Sequence, residues 1–181
     1  MVEEKMKIQG LKIIENPSFE DDRGYFMEFY NNKTYQTILS KDNHFVQDNI
    51  SSSKKNVIRG LHFQVPPFDQ GKLVQVLQGK ALDVVVDIRR ESPTFGEHYK
   101  IELSSENKIQ FWIPSGFAHG FVSLEDDTLF SYKCTQFYSK DHERALLWSD
   151  ETLNIDWGTQ NPIVSRKDQE APDFKHFNSP F

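Results

Sequence analysis

The sequence predicts an all-β protein, folded as a jelly-roll barrel with short peripheral helices. Short stretches of alternating apolar and polar residues recur along the chain at nearly regular spacing. Turn-forming residues separate these stretches, and helical periodicity is scarce. A chain of 181 residues fits one domain better than two, so we expect a single domain over residues 1–181.

Ten strands are predicted, separated by recognisable turns. Gln78-Gly79-Lys80 is typical of a tight hairpin between two of them, and Asp126-Asp127 is a plausible turn between the last two. We expect a helix over residues 32–41 and a short one after Ser165. The predicted strands span residues 11–15, 24–30, 45–50, 57–64, 72–77, 81–89, 99–103, 110–113, 117–123 and 128–138.

Period-two alternation indicates how the strands face the interior. In the strand over residues 81–89, the apolar side chains Leu82, Val84, Val86 and Ile88 share one face. A small barrel has room for one ligand in its mouth, lined by alternate residues of each strand. Residues two apart on one strand can therefore reach the same cavity.

Composition excludes several classes of protein. Aromatic residues make up 13% of the chain, which is unlike a disordered protein, and the net charge of −6 disfavours a nucleic-acid partner. Cys134 is the only cysteine, so an intrachain disulfide is not possible. The first ten residues lack the apolar stretch of a signal peptide, and no segment approaches the ~20 apolar residues of a membrane span. We expect a cytoplasmic protein without membrane contact.

The segment Asn56-Val-Ile-Arg-Gly-Leu-His-Phe-Gln64 is unusual for a strand. Arg59 and His62 interrupt its apolar residues, and Gly60 would weaken an ordinary strand interior. Glycine in a strand often marks a bulge or a close approach of backbone and ligand. By itself, His62 fits a hydrogen-bonded core or surface histidine as well as a functional one.

A second segment carries a spacing found in cupin barrels. Pro114-x-Gly116-x-x-His119 matches the second conserved segment of many cupins. Metal-binding cupins supply His-x-His in their first segment, whereas this chain has His62-Phe63-Gln64. Two histidines and a glutamine are a poor ligand set for a divalent metal, so we expect neither a metal ion nor another cofactor.

With these segments in view, the chain resembles the dTDP-4-dehydrorhamnose 3,5-epimerase family, whose members have the cupin fold. The resemblance runs nearly from end to end, and its strength lies in many short motifs in one order. The matching segments are Asp22-Arg-Gly-Tyr-Phe26, Phe45-Val-Gln-Asp-Asn49, Val57-Ile-Arg-Gly-Leu-His-Phe-Gln64, Gln70-Gly-Lys-Leu-Val74, Asp83-Val-Val-Val-Asp-Ile-Arg89, Ser92-Pro-Thr-Phe-Gly96, Ile113-Pro-Ser-Gly-Phe-Ala-His-Gly-Phe121, Tyr132-Lys-Cys134, Trp148-Ser-Asp150, Ile155-Asp-Trp157 and Ser165-Arg-Lys-Asp168.

The resemblance implies four catalytic residues. His62 would be the base that removes a proton beside the 4-keto group, and Asp168 would orient it. Tyr132 would be the acid on the opposite face, and Lys72 would stabilise the enolate oxygen. The residues alone leave other interpretations open: Ser165-x-x-Asp168 also fits a helix capping box, Lys72 a solvated strand end and Tyr132 an ordinary strand aromatic.

The resemblance also implies how a dTDP-sugar substrate is bound. Arg23 and Arg59 would contact the diphosphate, although Arg23-Gly24 also fits an exposed turn. The N-terminal arm crosses to the other subunit in this family, which implies a homodimer with exchanged strands. The substrate-binding residues implied are Arg23, Phe26 and Glu28 on that arm, with Phe26 and Glu28 at the thymine, and Gln47, Asn49, Arg59, His119 and Tyr138 elsewhere. Tyr138 would lie near the base or position the acid, facing the same side as Tyr132 if the strand continues.

Other functions remain open from the sequence. A single-site 3- or 5-epimerase, or a 3,4-ketoisomerase, would use the same His–Asp pair with a different substrate pose. A metal-dependent cupin oxygenase and a non-catalytic sugar-binding cupin are more remote. The presence of both a base and an acid favours an enzyme over a binding protein, and Tyr132 together with Tyr138 favours epimerisation at both carbons.

Overall fold

The computed structural model describes residues 6–39 and 43–181, and it is built mainly of β-strands. The strands are β1 (Lys12–Glu15), β2 (Ser18–Asp21), β3 (Gly24–Met27), β4 (Gln47–Ser53), β5 (Val57–Gln64), β6 (Lys72–Gln78), β7 (Lys80–Asp87), β8 (His98–Ser104), β9 (Ile109–Ile113), β10 (Phe117–Ser123), β11 (Thr128–Cys134), β12 (Glu143–Ala145) and β13 (Ile163–Val164). The helices are α1 (Asn32–Ile38), a 3-10 turn (Lys140–His142) and α2 (Arg166–Gln169). None of the helices in these ranges is long and apolar enough to cross a membrane.

Two antiparallel sheets form the body of the protein. One has the strand order β1-β9-β6-β11-β4, and the other has the order β12-β5-β10-β7-β8, with β13 added in parallel to β5. Strands β2 and β3 form a separate hairpin. This arrangement confirms the predicted all-β jelly roll with short peripheral helices.

Three apolar clusters pack against the sheets. The first joins side chains of both sheets and includes Val74, Val85, Phe111 and Phe130. Leu82, Val84, Val86 and Ile88 belong to the second cluster, on the opposite face of β7, as their alternation predicted. Chain segments after β12 cover this second cluster, whereas α1 covers a third, on the other sheet. Both faces of β7 are therefore buried, which explains the unbroken apolar run Val84-Val85-Val86.

The predicted hairpin at Gln78-Gly79-Lys80 is wrong. β6 pairs with β9 and β11, whereas β7 pairs with β8 and β10 in the other sheet. Gly79 has a φ of 77° and lets the chain turn the corner between the sheets. Local sequence marks the turn, but it does not tell whether the next strand pairs with the previous one or crosses to the facing sheet.

Several element ends differ from the prediction. The last long strand ends at Cys134 rather than at residue 138, and β3 ends at Met27 rather than at residue 30. Helix α1 ends at Ile38, and the predicted continuation to residue 41 runs into residues 40–42, outside the described residues. The short strands β2, β12 and β13 were missed, because two to four residues are too few to show a period. The strands over residues 57–64 and 117–123 have the predicted bounds.

Gly60 allows β5 and β10 to approach unusually closely. A Cβ atom at Gly60 would lie 2.5 Å from the Cα atom of Gly120, and its φ is 131°. A Cβ atom at Gly120 would in turn lie 2.7 Å from the carbonyl oxygen of Arg59. The register between the two strands shifts at this point, which confirms the predicted irregularity. Glycine is required here both for its backbone conformation and for lack of space.

Gly60→Ala is expected to destabilise the protein by more than Gly24→Ala. Both glycines have a similar positive φ, 131° and 126°, but nothing lies within 4 Å of a Cβ atom at Gly24. Gly24→Ala therefore measures backbone strain of about 1–3 kcal/mol, and Gly60→Ala adds steric overlap of similar size. Urea unfolding of both variants tests this, and equal losses would show that β5 and β10 can separate without cost.

Candidate active site

Two cavities are lined by residues of both sheets and share three lining residues. Their volumes are about 460 Å³ and about 250 Å³. His62, Lys72 and Tyr132 line both. His62 belongs to one sheet, whereas Lys72 and Tyr132 lie on the neighbouring strands β6 and β11 of the other. The two sheets thus present a histidine and a Lys–Tyr pair to one space.

Asp168 holds the imidazole of His62. Its carboxylate Oδ1 lies 2.6 Å from Nε2 of His62, and the two side chains are 4% and 30% exposed. Asp168 is in α2, which begins directly after β13, and β13 pairs with β5. The hydroxyl of Ser165 also accepts a hydrogen bond from the backbone N–H of Asp168. The sequence left a helix cap and a His–Asp pair as alternative interpretations of the Ser165-x-x-Asp168 motif. The structure shows both.

The environment favours the ionised form of Asp168. Burial acts to raise the pKa of Asp168, but hydrogen bonds from His62, Ser165 and the backbone N–H of Gly60 outweigh it and hold the pKa below its ordinary value. The ionised carboxylate of Asp168 accepts a hydrogen bond from the imidazole N–H that faces it, so this ring nitrogen keeps its proton. The other ring nitrogen of His62 is then the one available to act as a base.

Lys72 and Tyr132 lie on paired strands. Tyr132 is opposite Val74 in the register, and Cys134 is opposite Lys72, so both functional side chains are on one face of the sheet. Burial raises the pKa of Tyr132, with Cys134 adding to the rise, so the phenol keeps its proton at neutral pH. Burial lowers the pKa of Lys72, and Cys134 opposes this shift. A negative charge that develops beside Lys72 would favour its charged form.

A second His–Asp pair lies next to the first. His119 is opposite His62 in the register of β10 and β5, and it lines the larger cavity. Its Nε2 lies 2.7 Å from Oδ2 of Asp83, and Asp83 is fully buried. Sequence reasoning missed Asp83. The available signal was a carboxylate in the middle of an apolar strand, since such a group needs a partner.

Three other residues predicted to bind substrate line the cavities. Arg59 lines the larger one, and its guanidinium donates to the hydroxyl of Ser53 and to the carbonyl of Ser52. Gln47 and Asn49 line the smaller one, where the amide of Gln47 donates to Oδ1 of Asn49 at 2.9 Å. Their spacing of two on β4 puts both on one side, as predicted.

Tyr138 lines the smaller cavity, but for a reason different from the one predicted. β11 ends four residues before it, so strand parity with Tyr132 does not apply. Its hydroxyl donates to Oε2 of Glu143 at 2.9 Å, and Glu143 pairs with Lys167 at 2.6 Å. The sequence analysis missed both Glu143 and Lys167. Glu143 lies on a three-residue strand, which is too short to show a recognisable pattern.

The three residues of the N-terminal arm lie away from both cavities. Arg23 is exposed and pairs with Asp21 within the hairpin. Phe26 is 71% exposed and lies by another cavity, together with Lys108. Glu28 accepts a hydrogen bond from the side chain of Asn31. Within one protomer, the structure does not bring this arm to His62.

Metal-ligating side chains do not cluster in the part of the chain that the structure describes. In residues 6–39 and 43–181, no three His, Cys, Asp or Glu side chains are placed to hold one metal ion. The first cupin segment offers His62 and Gln64, and the amide of Gln64 is engaged with backbone groups at Phe68, Phe137 and Ser139.

Asp168→Asn is expected to flatten the acid dependence of stability. A carboxylate with a lowered pKa stabilises the fold above its unfolded pKa, and this contribution disappears as the pH falls through the folded pKa. Between about pH 5 and pH 2, the free energy of unfolding of the wild type should therefore fall further than that of Asp168→Asn. The difference between the two decreases is expected to be on the order of 1 kcal/mol. Urea unfolding at stepped pH measures the difference.

Asp173→Asn is the matched control, because Asp173 also pairs with a histidine, His176, at 2.7 Å but on the exposed surface. Solvent screens that pair, so its removal should change the pH dependence of the free energy of unfolding less than Asp168→Asn does. Equal slopes for the wild type and Asp168→Asn would contradict the proposed stabilisation of the Asp168 carboxylate.

The known proteins that this chain resembles belong to one family of enzymes. A family model described as dTDP-4-dehydrorhamnose 3,5-epimerase matches residues 5–176. The chain is 50% identical over 170 residues to the dTDP-4-dehydrorhamnose 3,5-epimerase of Shigella flexneri, covering 94% of each protein.

Solved structures of similar proteins share the fold. The dTDP-4-dehydrorhamnose 3,5-epimerase of Elizabethkingia anophelis is 49% identical, with a TM-score of 0.91 and 97% of each chain covered. A Legionella pneumophila dTDP-6-deoxy-D-glucose-3,5-epimerase in complex with dTDP-4-keto-L-rhamnose is 45% identical, with a TM-score of 0.93 and 98% and 94% covered. The family model and the similarity in sequence and fold show that the chain belongs to the dTDP-4-dehydrorhamnose 3,5-epimerase family.

Proposed function

We propose that this enzyme converts dTDP-4-keto-6-deoxy-D-glucose to dTDP-4-keto-L-rhamnose by inverting carbons 3 and 5. The observation that carries the proposal is the placement of the His62–Asp168 pair in a cavity whose other sheet supplies Lys72 and Tyr132. The complex of the Legionella relative with dTDP-4-keto-L-rhamnose supports the choice of ligand.

His62 is the proposed base for both carbons. The 4-keto group acidifies the neighbouring C–H bonds, because the carbanion formed delocalises onto oxygen. His62 takes the proton and becomes an imidazolium, which the carboxylate of Asp168 at 2.6 Å stabilises. The role of Asp168 is thus to orient the ring and to balance its charge.

Lys72 and Tyr132 complete the proposed reaction. The ammonium of Lys72 stabilises the enolate oxygen as its negative charge develops. Tyr132 donates a proton to carbon from the face opposite His62, which inverts the centre. Solvent then reprotonates the phenolate and removes the proton from His62. The 4-keto group of the substrate already acidifies the C–H bonds that are broken, so the proposed steps use only side chains of this protein and solvent.

The diphosphate and sugar are proposed to contact polar residues around both cavities. Guanidinium groups bind phosphate oxygens through paired donors, which suits Arg59 at the rim of the larger cavity. The residues proposed to contact substrate from the same chain are Gln47, Asn49, Arg59, His119 and Tyr138.

We also infer a homodimer in which the N-terminal arm reaches the partner's site. Phe19, Tyr25 and Phe26 on the β2–β3 hairpin are 67%, 56% and 71% exposed, which is costly for large apolar side chains in a monomer. Arg23, Phe26 and Glu28 lie away from His62 in their own protomer. An arm that crosses would bury the aromatic side chains and bring all three residues to a substrate.

Incubation with dTDP-4-keto-6-deoxy-D-glucose in deuterated water tests the reaction. We expect deuterium at both carbon 3 and carbon 5, because each proton removed by His62 is replaced by one from solvent by way of Tyr132. Mass spectrometry and NMR locate the label. Label at only one carbon would show a single-site epimerase, and no label with bound nucleotide would show a binding protein.

His62→Ala should lower the rate of label uptake by about 10²–10⁴-fold, the usual contribution of a general base. His176→Ala is the matched control: His176 also pairs with an aspartate at 2.7 Å, but its side chain is 75% exposed and outside both cavities. A near-normal rate for His62→Ala would show that another group is the base.

Mixed dimers test the crossing of the arm. His62→Ala and Arg23→Ala protomers are each expected to be weakly active alone. In a mixed dimer, a crossing arm brings an intact Arg23 to an intact His62, so co-expressed variants should regain activity in one site per dimer. Activity no higher than the mean of the two parents would show that Arg23 acts within its own protomer or not at all.

A further inference from the structure

Three glutamine side chains hold the loop that carries Tyr138. This loop, residues 135–139 and called here the Tyr138 loop, follows β11 and lies outside the sheet ladders. Gln47 accepts a hydrogen bond from the backbone N–H of Tyr138 at 2.8 Å. Gln70 donates to the carbonyl of Gln136 at 2.7 Å. The loop therefore takes its shape from side chains of other segments.

Of the three glutamine side chains, that of Gln64 makes the most hydrogen bonds. Its Nε2 donates to the carbonyls of Phe137 at 3.1 Å and Phe68 at 2.6 Å, and its Oε1 accepts from the N–H of Ser139 at 2.6 Å. Gln64 is only 4% exposed, so these protein groups rather than bulk solvent satisfy its amide. A planar amide that bonds on both sides fixes the loop in position and in orientation.

Gln64 also connects the loop to the catalytic strand. It lies two residues after His62 on β5, so the strand that carries the base also carries the clamp. In the register, Gln64 is opposite Glu143, the residue that accepts from the hydroxyl of Tyr138. The backbone of Tyr138 and the partner of its hydroxyl are thus both set by β5.

We propose that Gln64 is a positioning residue, which holds Tyr138 at the cavity shared with His62, with Gln47 and Gln70 in support. This explains why a glutamine stands in the second position of the His-x-His pattern: the amide serves the Tyr138 loop. Tyr138 is 54% exposed, so its placement depends on the backbone that carries it. The inference rests on the proposed function, in which Tyr138 contacts substrate.

Gln64→Met tests the inference, because methionine has a similar length and fills the space but offers no amide. We expect kcat/KM to fall by about 10- to 100-fold, since displacement of a contact group by about 1 Å has effects of this size. In a Tyr138→Ala background, the same substitution should cause little further loss. If the full loss persists in that background, or if Gln64→Met leaves kcat/KM unchanged, the inference is wrong.

Two further variants separate positioning from general damage. Gln70→Met removes only the bond to Gln136 and should act in the same direction with a smaller effect, which keeps the test open if Gln64→Met does not fold. Gln78→Met is the matched control: Gln78 also donates to a loop carbonyl, that of Asp127, but it is exposed and outside both cavities. It should leave kcat/KM unchanged, and a loss equal to that of Gln64→Met would overturn the inference.

Amide hydrogen exchange tests the clamp without reference to catalysis. The N–H groups of Tyr138 and Ser139, bonded to Gln47 and Gln64, should exchange faster in Gln64→Met than in the wild type, whereas those of β10 should not change. Unchanged exchange in the Tyr138 loop would overturn the clamp even if the enzyme is an epimerase. A clamp confirmed by exchange in a protein that incorporates no deuterium would instead refute the proposed function.

Discussion

The contact between β5 and β10 at Gly60 and Gly120 is the constraint on which the site depends. No side chain fits between the two backbones there, since a Cβ atom at Gly60 would lie 2.5 Å from the Cα atom of Gly120. The contact coincides with the shift in register between β5 and β10. β5 then carries Arg59, His62 and Gln64 to the cavities, and the backbone N–H of Gly60 contributes to the stabilisation of the Asp168 carboxylate.

The division of groups between two facing sheets suits proton transfer in both directions. His62 is on one sheet, and its carboxylate partner Asp168 is on the adjoining helix α2, where hydrogen bonds keep Asp168 ionised despite its burial. Lys72 and Tyr132 are on the other sheet, where burial raises the pKa of Tyr132 and keeps its phenol protonated. Burial also lowers the pKa of Lys72. An ionised carboxylate beside His62 and a protonated phenol on the facing sheet leave a proton acceptor on one side and a proton donor on the other. Such separation of environments is how one site can hold a base and an acid at the same pH.

Parts of this arrangement followed from short-range pattern. The bounds of β5 and β10 and the shared face of Leu82, Val84 and Val86 were predicted correctly, because alternation along one strand reports its own two faces. Asp168 came from family resemblance, since its 106-residue separation from His62 carries no local signal. The residues alone favoured a helix cap, and the structure shows that Ser165 caps the helix while Asp168 holds His62.

The sequence by itself determined the type of fold, the strand that carries His62 and the family. The tertiary structure decided which strands pair, and so placed β6 and β7 in different sheets, joined His119 to Asp83, and brought Glu143 to Tyr138. The physical reason is that periodicity records how each strand meets solvent and core, whereas the sheet order depends on packing between segments far apart. The surroundings of His62 come from that packing.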